Sequence, residues 1–269
     1  MDNRPIGVFD SGVGGLTVLK QLDMMLPGEN FIYFGDTARV PYGEKTPEHL
    51  LRFVREIMEW FKSNKVKAVV MACNTSSAVT YEIIKDDYDF PVFSLIEPTA
   101  RYVSYLNVSK IGVLATSATV NSHAYSNSIK KLDPAKIVLE RACPGLVELV
   151  ESNKTETQEA RRLIIKYVVP FLEQGVERII LGCTHYPYLR SVINEITGDN
   201  EMLIDPAKHL AEDIADTLFQ QELLNNEKYG TRQFFASSNP EMFREAGKRF
   251  YPEIDEVREL NLSSVGSNT

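Results

Sequence analysis

Four short apolar runs near the start of the chain return later in the same order, and this repeat restricts the fold to architectures built from two copies of one unit. IGVFDSG at Ile6 is matched by IGVLATS at Ile111, and FIYFGD at Phe31 by IVLERACP at Ile137. The step between the two runs is 25 residues in the first copy and 26 in the second. AVVMACNTSS (Ala68 to Ser77) then matches RIILGCTHYP (Arg178 to Pro187), and VFSLIEP, ending at Pro98, matches EMLIDP, ending at Pro206. Cysteine and proline stand 25 residues apart in the first copy and 23 in the second. Helical patterns such as PEHLLRFVREIMEWFKSN (Pro47 to Asn64) separate the runs, which therefore read as strands of βαβ units.

The expected fold class is α/β, with two pseudo-symmetric lobes, each a mainly parallel sheet flanked by helices. Ligand-binding loops belong at the carboxyl edges of such sheets, so the expected site lies in the cleft between the lobes. After Pro206 come a helix pattern (Lys208 to Leu224), a strand (Arg232 to Ser237) and a helix opening with Asn239 and Pro240, none with a repeat partner.

At 269 residues, 43% of them apolar, the chain can bury a substantial core in one large domain or two small ones. PIGVFD near the start reads as a buried strand, and no charged leader with a long apolar run precedes or follows it, so a soluble cytoplasmic protein with no membrane partner is expected. A net charge of -8 without a basic block argues against nucleic acid as a partner. Three cysteines with no C-x-x-C spacing suggest neither a disulfide framework nor a zinc knuckle, so cysteine chemistry here means free thiols.

Cys73 and Cys183 each close a strand run and are each followed by small polar residues, Asn74-Thr75 and Thr184-His185. If the copies face each other across an approximate two-fold axis, the two thiols flank anything bound between them. Moving a weakly acidic proton from one face of a carbon to the other needs such a pair, one group ionised and one not, with roles that exchange in the reverse direction. A free thiol has a pKa of about 8.5 and needs local help to act as a base. Asp10, at the end of the first strand and expected near Cys73, and His185, two residues after Cys183, are candidate helpers. Glu151 is a third. Ser11, Asn74, Thr75 and Thr184, with backbone N–H groups at helix starts, suit the carboxylate and ammonium of an amino acid. The DSGVGGLTV turn (Asp10 to Val18) lets backbone approach a ligand closely, and Tyr42 and Gly43 in RVPYGEK supply further contacts.

Each residue alone has a plainer reading. A strand-end cysteine is usually a small buried hydrophobe, and only the match between the copies favours chemistry. Cys143 has no such match and reads as structural or as loop lining. His185 alone reads as a satisfied polar residue, Glu151 as a solvated helix charge, and Asp10 and Ser11 as helix caps. Other enzyme classes stay open at this point. Asp36 ends the second strand where a ribose-binding acid would stand, but Gly12, Gly14 and Gly15 lack the third glycine of a dinucleotide turn. A zinc site on Cys73, Cys183 and His185 lacks a paired-ligand spacing. Peroxide reduction or thiol protease chemistry would use one cysteine and leave the repeat unexplained. A two-lobed binding protein would keep its affinity without either thiol.

DSGVGGLTV at Asp10, PYGEK at Pro41, ACNTSSA at Ala72 and LGCTHYP at Leu181 stand in the order found in the aspartate/glutamate racemase family, which the chain resembles from Ile6 to about Asn261. The resemblance implies catalytic cysteines at Cys73 and Cys183. It implies substrate binding at Asp10, Ser11, Tyr42, Gly43, Asn74, Thr75, Thr184 and His185. It also implies no cofactor, no metal, a likeness to homodimers, and a role in supplying D-glutamate for peptidoglycan. His185, where the aspartate-specific branch tends to carry Glu, favours glutamate as the small-molecule substrate. By the same resemblance the last segment packs back on the first lobe, giving lobes at 1–97 plus 208–262 and at 98–207, with a flexible tail at 263–269. Two stretches depart from the family pattern: LATSATVNS (Leu114 to Ser122) and the SSA of ACNTSSA.

Overall fold

The computed structural model describes residues 2–262, so the tail expected at 263–269 lies outside the described residues. The first copy of the repeat runs β1 (Ile6–Asp10), α1 (Leu16–Met25), β2 (Phe31–Gly35), α2 (Pro47–Ser63), β3 (Ala68–Met71), α3 (Asn74–Ile84), β4 (Val92–Ser94) and α4 (Ile96–Tyr105). The second runs β5 (Lys110–Ala115), α5 (Ser117–Ser122), α6 (Ala124–Leu132), β6 (Ile137–Ala142), α7 (Leu146–Glu151), α8 (Gln158–Glu173), β7 (Arg178–Gly182), α9 (Arg190–Thr197), β8 (Leu203–Ile204) and α10 (Pro206–Gln220). The unrepeated segment adds β9 (Arg232–Ala236), α11 (Pro240–Gly247) and β10 (Val257–Glu259).

These strands form two parallel sheets, in the orders β10-β9-β2-β1-β3-β4 and β6-β5-β7-β8. The four-strand core β2-β1-β3-β4 thus recurs as β6-β5-β7-β8. Helices cover both faces of the first sheet, which is why β1, β2 and β3 are buried throughout. The expected α/β class with two helix-flanked parallel sheets is the observed one.

The ladders test the repeat residue by residue. Ile6 pairs with Ala68 and Ile111 with Arg178, so Cys73 and Cys183 occupy equivalent places, as the sequence match requires. The second run is displaced by one residue: Phe31 pairs with Ile6, but Val138 rather than Ile137 pairs with Ile111. Cys143 therefore stands where Asp36 stands in the first copy, so it does have a positional partner. The proline match is displaced by three. Val92 and Phe93 take the ladder positions of Leu203 and Ile204, so Pro206 starts α10 directly after the strand, whereas Pro98 lies inside the first turn of α4. Both prolines sit where a missing N–H costs a helix nothing, at different distances from their strands.

One packing detail repeats with the strands. A Cβ built on Gly7 of β1 would stand 2.6 Å from the ring of Phe61 on α2, and one on Gly112 of β5 would stand 2.7 Å from the ring of Phe171 on α8. The aromatic ring lies flush on the strand in both copies because the glycine leaves room for it.

The chain passes between the sheets twice, through α4 and back through α10. These two helices touch, with the rings of Tyr102 and His209 stacked at 3.8 Å and Arg101 paired with Asp213. The helix expected over Lys208–Leu224 begins earlier because Asp205 Oδ1 accepts from the Ala207 N–H (3.1 Å) and Pro206 fits the first helical position. The return segment is anchored beneath the first sheet by a buried pair. Lys67 Nζ meets Glu29 Oε2 at 2.6 Å and donates to the carbonyls of Asp2 and Leu223, while Glu29 Oε1 accepts from the Asn225 N–H. Each charge thereby has its counter-charge and at least one backbone partner, which a buried ion pair requires. β9 then joins the sheet along β2.

Gly7→Ala and Gly112→Ala should each destabilise the protein by about 1–3 kcal/mol, the usual effect of overpacking a filled core. Denaturant unfolding of the single variants checks this, and a shift of less than about 0.5 kcal/mol would show that Phe61 or Phe171 yields freely.

Candidate active site

Parallel strands deliver their carboxyl ends to one edge, and the two sheets bring those edges to a common cavity of about 380 Å³. Ser11, Tyr42, Gly43, Cys73, Asn74 and Thr75 line it from the first copy, and Cys183, Thr184, His185 and Glu151 from the second. Every candidate catalytic or substrate-binding residue of the racemase-like reading meets here except Asp10, which is fully buried behind the lining. Its charge acts on both Cys73 and His185, and that of His185 acts on it.

Cys73 occupies the position before α3, where the backbone N–H groups of Thr75 and Ser76 approach its sulfur. These lower a thiol pKa, but burial, followed by the negative charge of Asp10, outweighs them and pushes it up to about 12. Asp10 is itself raised by burial, against the pull of His185 and the N–H groups of Gly12, Gly15 and Ser11. It does not cap α1. Its Oδ2 accepts from the Gly12 N–H at 3.0 Å and so stiffens the glycine turn, while Gly15 fills the cap position with no side-chain bond.

Cys183 has a different neighbour. Its Sγ lies 3.7 Å from His185 Nδ1, and His185 Nε2 lies 3.2 Å from Glu151 Oε1. Burial alone would lower the pKa of this histidine, yet the bonds to Cys183 and Glu151 lift it to about 10. These bonds favour the imidazolium form of His185, which faces a sulfur on one side and a carboxylate on the other. Glu151 is correspondingly lowered, first by its bond to His185. Gly14 of the first copy's turn packs directly on this group: a Cβ there would stand 2.4 Å from Thr184 Oγ1 and 2.7 Å from His185 Nδ1. The glycine that admits close backbone approach thus admits the other half of the protein.

Asp36 is committed elsewhere than the ribose-binding reading would place it. Its Oδ2 accepts from the Tyr42 hydroxyl (2.5 Å) and from Arg39 Nε (2.6 Å), so the carboxylate fixes the Tyr42–Gly43 loop from beneath. Among the described residues no group of three or more His, Cys, Asp or Glu has metal-holding geometry, and no described helix is long and apolar enough to cross a membrane.

The Asp/Glu/Hydantoin racemase family model matches residues 6–214. The chain belongs to this family. It is 45% identical over 264 residues to a glutamate racemase of Thermoanaerobacter pseudethanolicus, covering 97% of this chain and 99% of that protein. It is 40% identical over 265 residues to one from Picosynechococcus, covering 98% and 95%. Among solved structures, glutamate racemase from Francisella tularensis in complex with D-glutamate superposes with a TM-score of 0.92 at 36% identity, covering 98% of this chain and 100% of that one. The resemblance read from four motifs is thereby borne out.

Several members of the cavity wall escaped the motif reading. Thr116 and Ser117 line it from the loop that departs from the family pattern, and Thr116 is the repeat mate of Ser11, so the alignment of IGVFDSG with IGVLATS already pointed to it. Its hydroxyl meets that of Thr75 at 2.9 Å across the two copies. Val147 and Glu148 also line the cavity from α7, and nothing in their spacing signals this; Cys143 lines it just before α7, the second of the two readings its sequence allowed.

The raised pKa of His185 means that its contribution to folding stability is complete below the ordinary histidine value of 6.5 and fades as the pH rises to about 10. Glu151→Gln removes one of the two supports of the imidazolium, so His185 should hold its proton about ten- to a hundredfold less tightly. Imidazole resonances followed by NMR across the alkaline range check this; an unmoved midpoint near 10 would rule Glu151 out as a support.

Proposed function

We propose that the chain interconverts L-glutamate and D-glutamate without cofactor or metal, using Cys73 and Cys183 as the two bases. The observation that carries the reading is the placement of two free thiols at equivalent strand ends of two facing sheets, both lining one cavity. Glutamate as substrate is supported by the near full-length relatives and by the D-glutamate complex of the Francisella tularensis enzyme.

In one direction a thiolate takes the α-proton while the opposite thiol gives its proton to the other face. The carbon thus keeps one hydrogen with inverted configuration, and the two sulfurs exchange protonation state. By family likeness Cys73 deprotonates D-glutamate and Cys183 deprotonates L-glutamate. Asp10 serves Cys73. His185, supported by Glu151, serves Cys183 and places a positive charge beside the developing carbanion. Ser11, Tyr42, Gly43, Asn74, Thr75, Thr184 and His185 hold the substrate's carboxylates and ammonium. The same reading divides the chain into lobes at 1–97 plus 208–262 and at 98–207, and makes it a cytoplasmic homodimer that supplies D-glutamate for peptidoglycan.

Proton NMR of the metal-stripped protein with L-glutamate in heavy water tests the proposal. Loss of the α-proton signal with appearance of D-glutamate is the expected result, and a folded protein that exchanges nothing would sink it. Replacing either Cys73 or Cys183 with Ser should slow racemisation by about 10²- to 10⁴-fold, the usual worth of a proton-transfer group. Near-normal turnover by both variants would exclude the two-thiol mechanism.

A further inference from the structure

Tyr125 lies on α6, outside the cavity, and belongs to none of the family motifs read in the sequence. It is completely buried, and its hydroxyl donates to Asn74 Oδ1 at 2.5 Å. Asn74 follows Cys73, opens α3 and lines the cavity. The bond therefore runs from the second copy of the repeat to the residue beside the first copy's thiol.

We infer that Tyr125 is a positioning residue for substrate binding, whose hydroxyl occupies the Asn74 carbonyl oxygen and so turns the Asn74 amide N–H groups toward the cavity. A primary amide has an acceptor end and a donor end, and only the donor end suits a carboxylate. A tyrosine hydroxyl buried this deeply needs an acceptor, and Asn74 Oδ1 supplies it. With the acceptor end held, the donor end faces the space where an anion binds. Without the hydroxyl, both orientations of the amide become available, and one of them presents an oxygen to the substrate's negative charge. The Thr75–Thr116 hydroxyl contact at 2.9 Å holds the next residue of the same turn, so the start of α3 is fixed from the second copy at two successive positions. Binding a carboxylate through Asn74 is the same in the ground state and the transition state, so the loss falls on KM and not on kcat.

The inference rests on the glutamate racemase reading, and the test separates the two. In steady-state kinetics Tyr125→Phe should raise KM for both enantiomers about tenfold, the scale of one lost hydrogen bond, with kcat changed less than threefold. Asn74→Ala should raise KM at least as much, and the double variant Tyr125→Phe/Asn74→Ala should be no worse than Asn74→Ala alone. A general loosening of the core would give additive effects instead. Selectively labelled Asn74 side-chain amide signals provide a readout independent of turnover: in Tyr125→Phe they should shift and exchange faster with solvent. Wild-type protein that racemises no glutamate overturns the functional reading, and the amide signals then still decide on Tyr125. Additive KM increases, or Asn74 amide signals unaltered by Tyr125→Phe, overturn the inference.

Discussion

Parallel pairing is the constraint from which the site follows. Strands that run parallel must end on the same edge of their sheet, and the right-handed connections between them carry every following loop to that edge. The pairs β1–β3 and β5–β7 each place a cysteine and a flanking turn at one level, and after Cys73 the start of α3 as well. Once two such edges face each other, two thiols on opposite sides of a common space need no further arrangement. The glycines at 7 and 112 belong to the same constraint, since they let a helix sit close enough on each sheet to seal its core.

The copies agree in the order of their four core strands and differ in charge. Asp10 ends β1, while its mate on β5 is Ala115; His185 follows the second thiol, while its mate is Thr75. The thiols thus have unlike charged neighbours, contributed from different places in the unit. Cys73 faces buried negative charge, and Cys183 faces an imidazolium supported by Glu151. A racemase with a symmetric scaffold and chemically unlike sides can treat two mirror-image substrates, which differ from each other in the same way, without requiring identical groups on both faces.

The features written in the repeat are legible in the order of the amino acids alone. The positions of the repeated strands, the equivalence of Cys73 and Cys183, and the convergence of Ser11, Tyr42, Asn74, Thr75, Thr184 and His185 all follow from period and motif. The features that failed depend on register and on unmatched segments. The ladder partners Ile111 and Val138 stand 27 residues apart, one more than the sequence match gave, and this shift puts Cys143 in the place of Asp36. The prolines misled because a helix tolerates proline at more than one early position. Asp36 drew a nucleotide-like interpretation because sequence does not reveal that Tyr42 and Arg39 already occupy it. Tyr125 could not be found from spacing at all: what singles it out is a hydroxyl meeting an amide from another part of the chain.

The two sheets are also finished at different moments of synthesis. The second is complete when β8 has been made, because all its strands lie in one continuous stretch. The first is not, since β2 receives its outer neighbour only when β9 is added near the end of the chain. Until Arg232–Ala236 leaves the ribosome, the β2 edge of a nascent chain displays unpaired backbone groups of the kind that recruit other strands. The first copy of the repeat is thus the one that waits, and a chain cut short before β9 would have its second sheet complete and its first sheet still lacking β9 and β10.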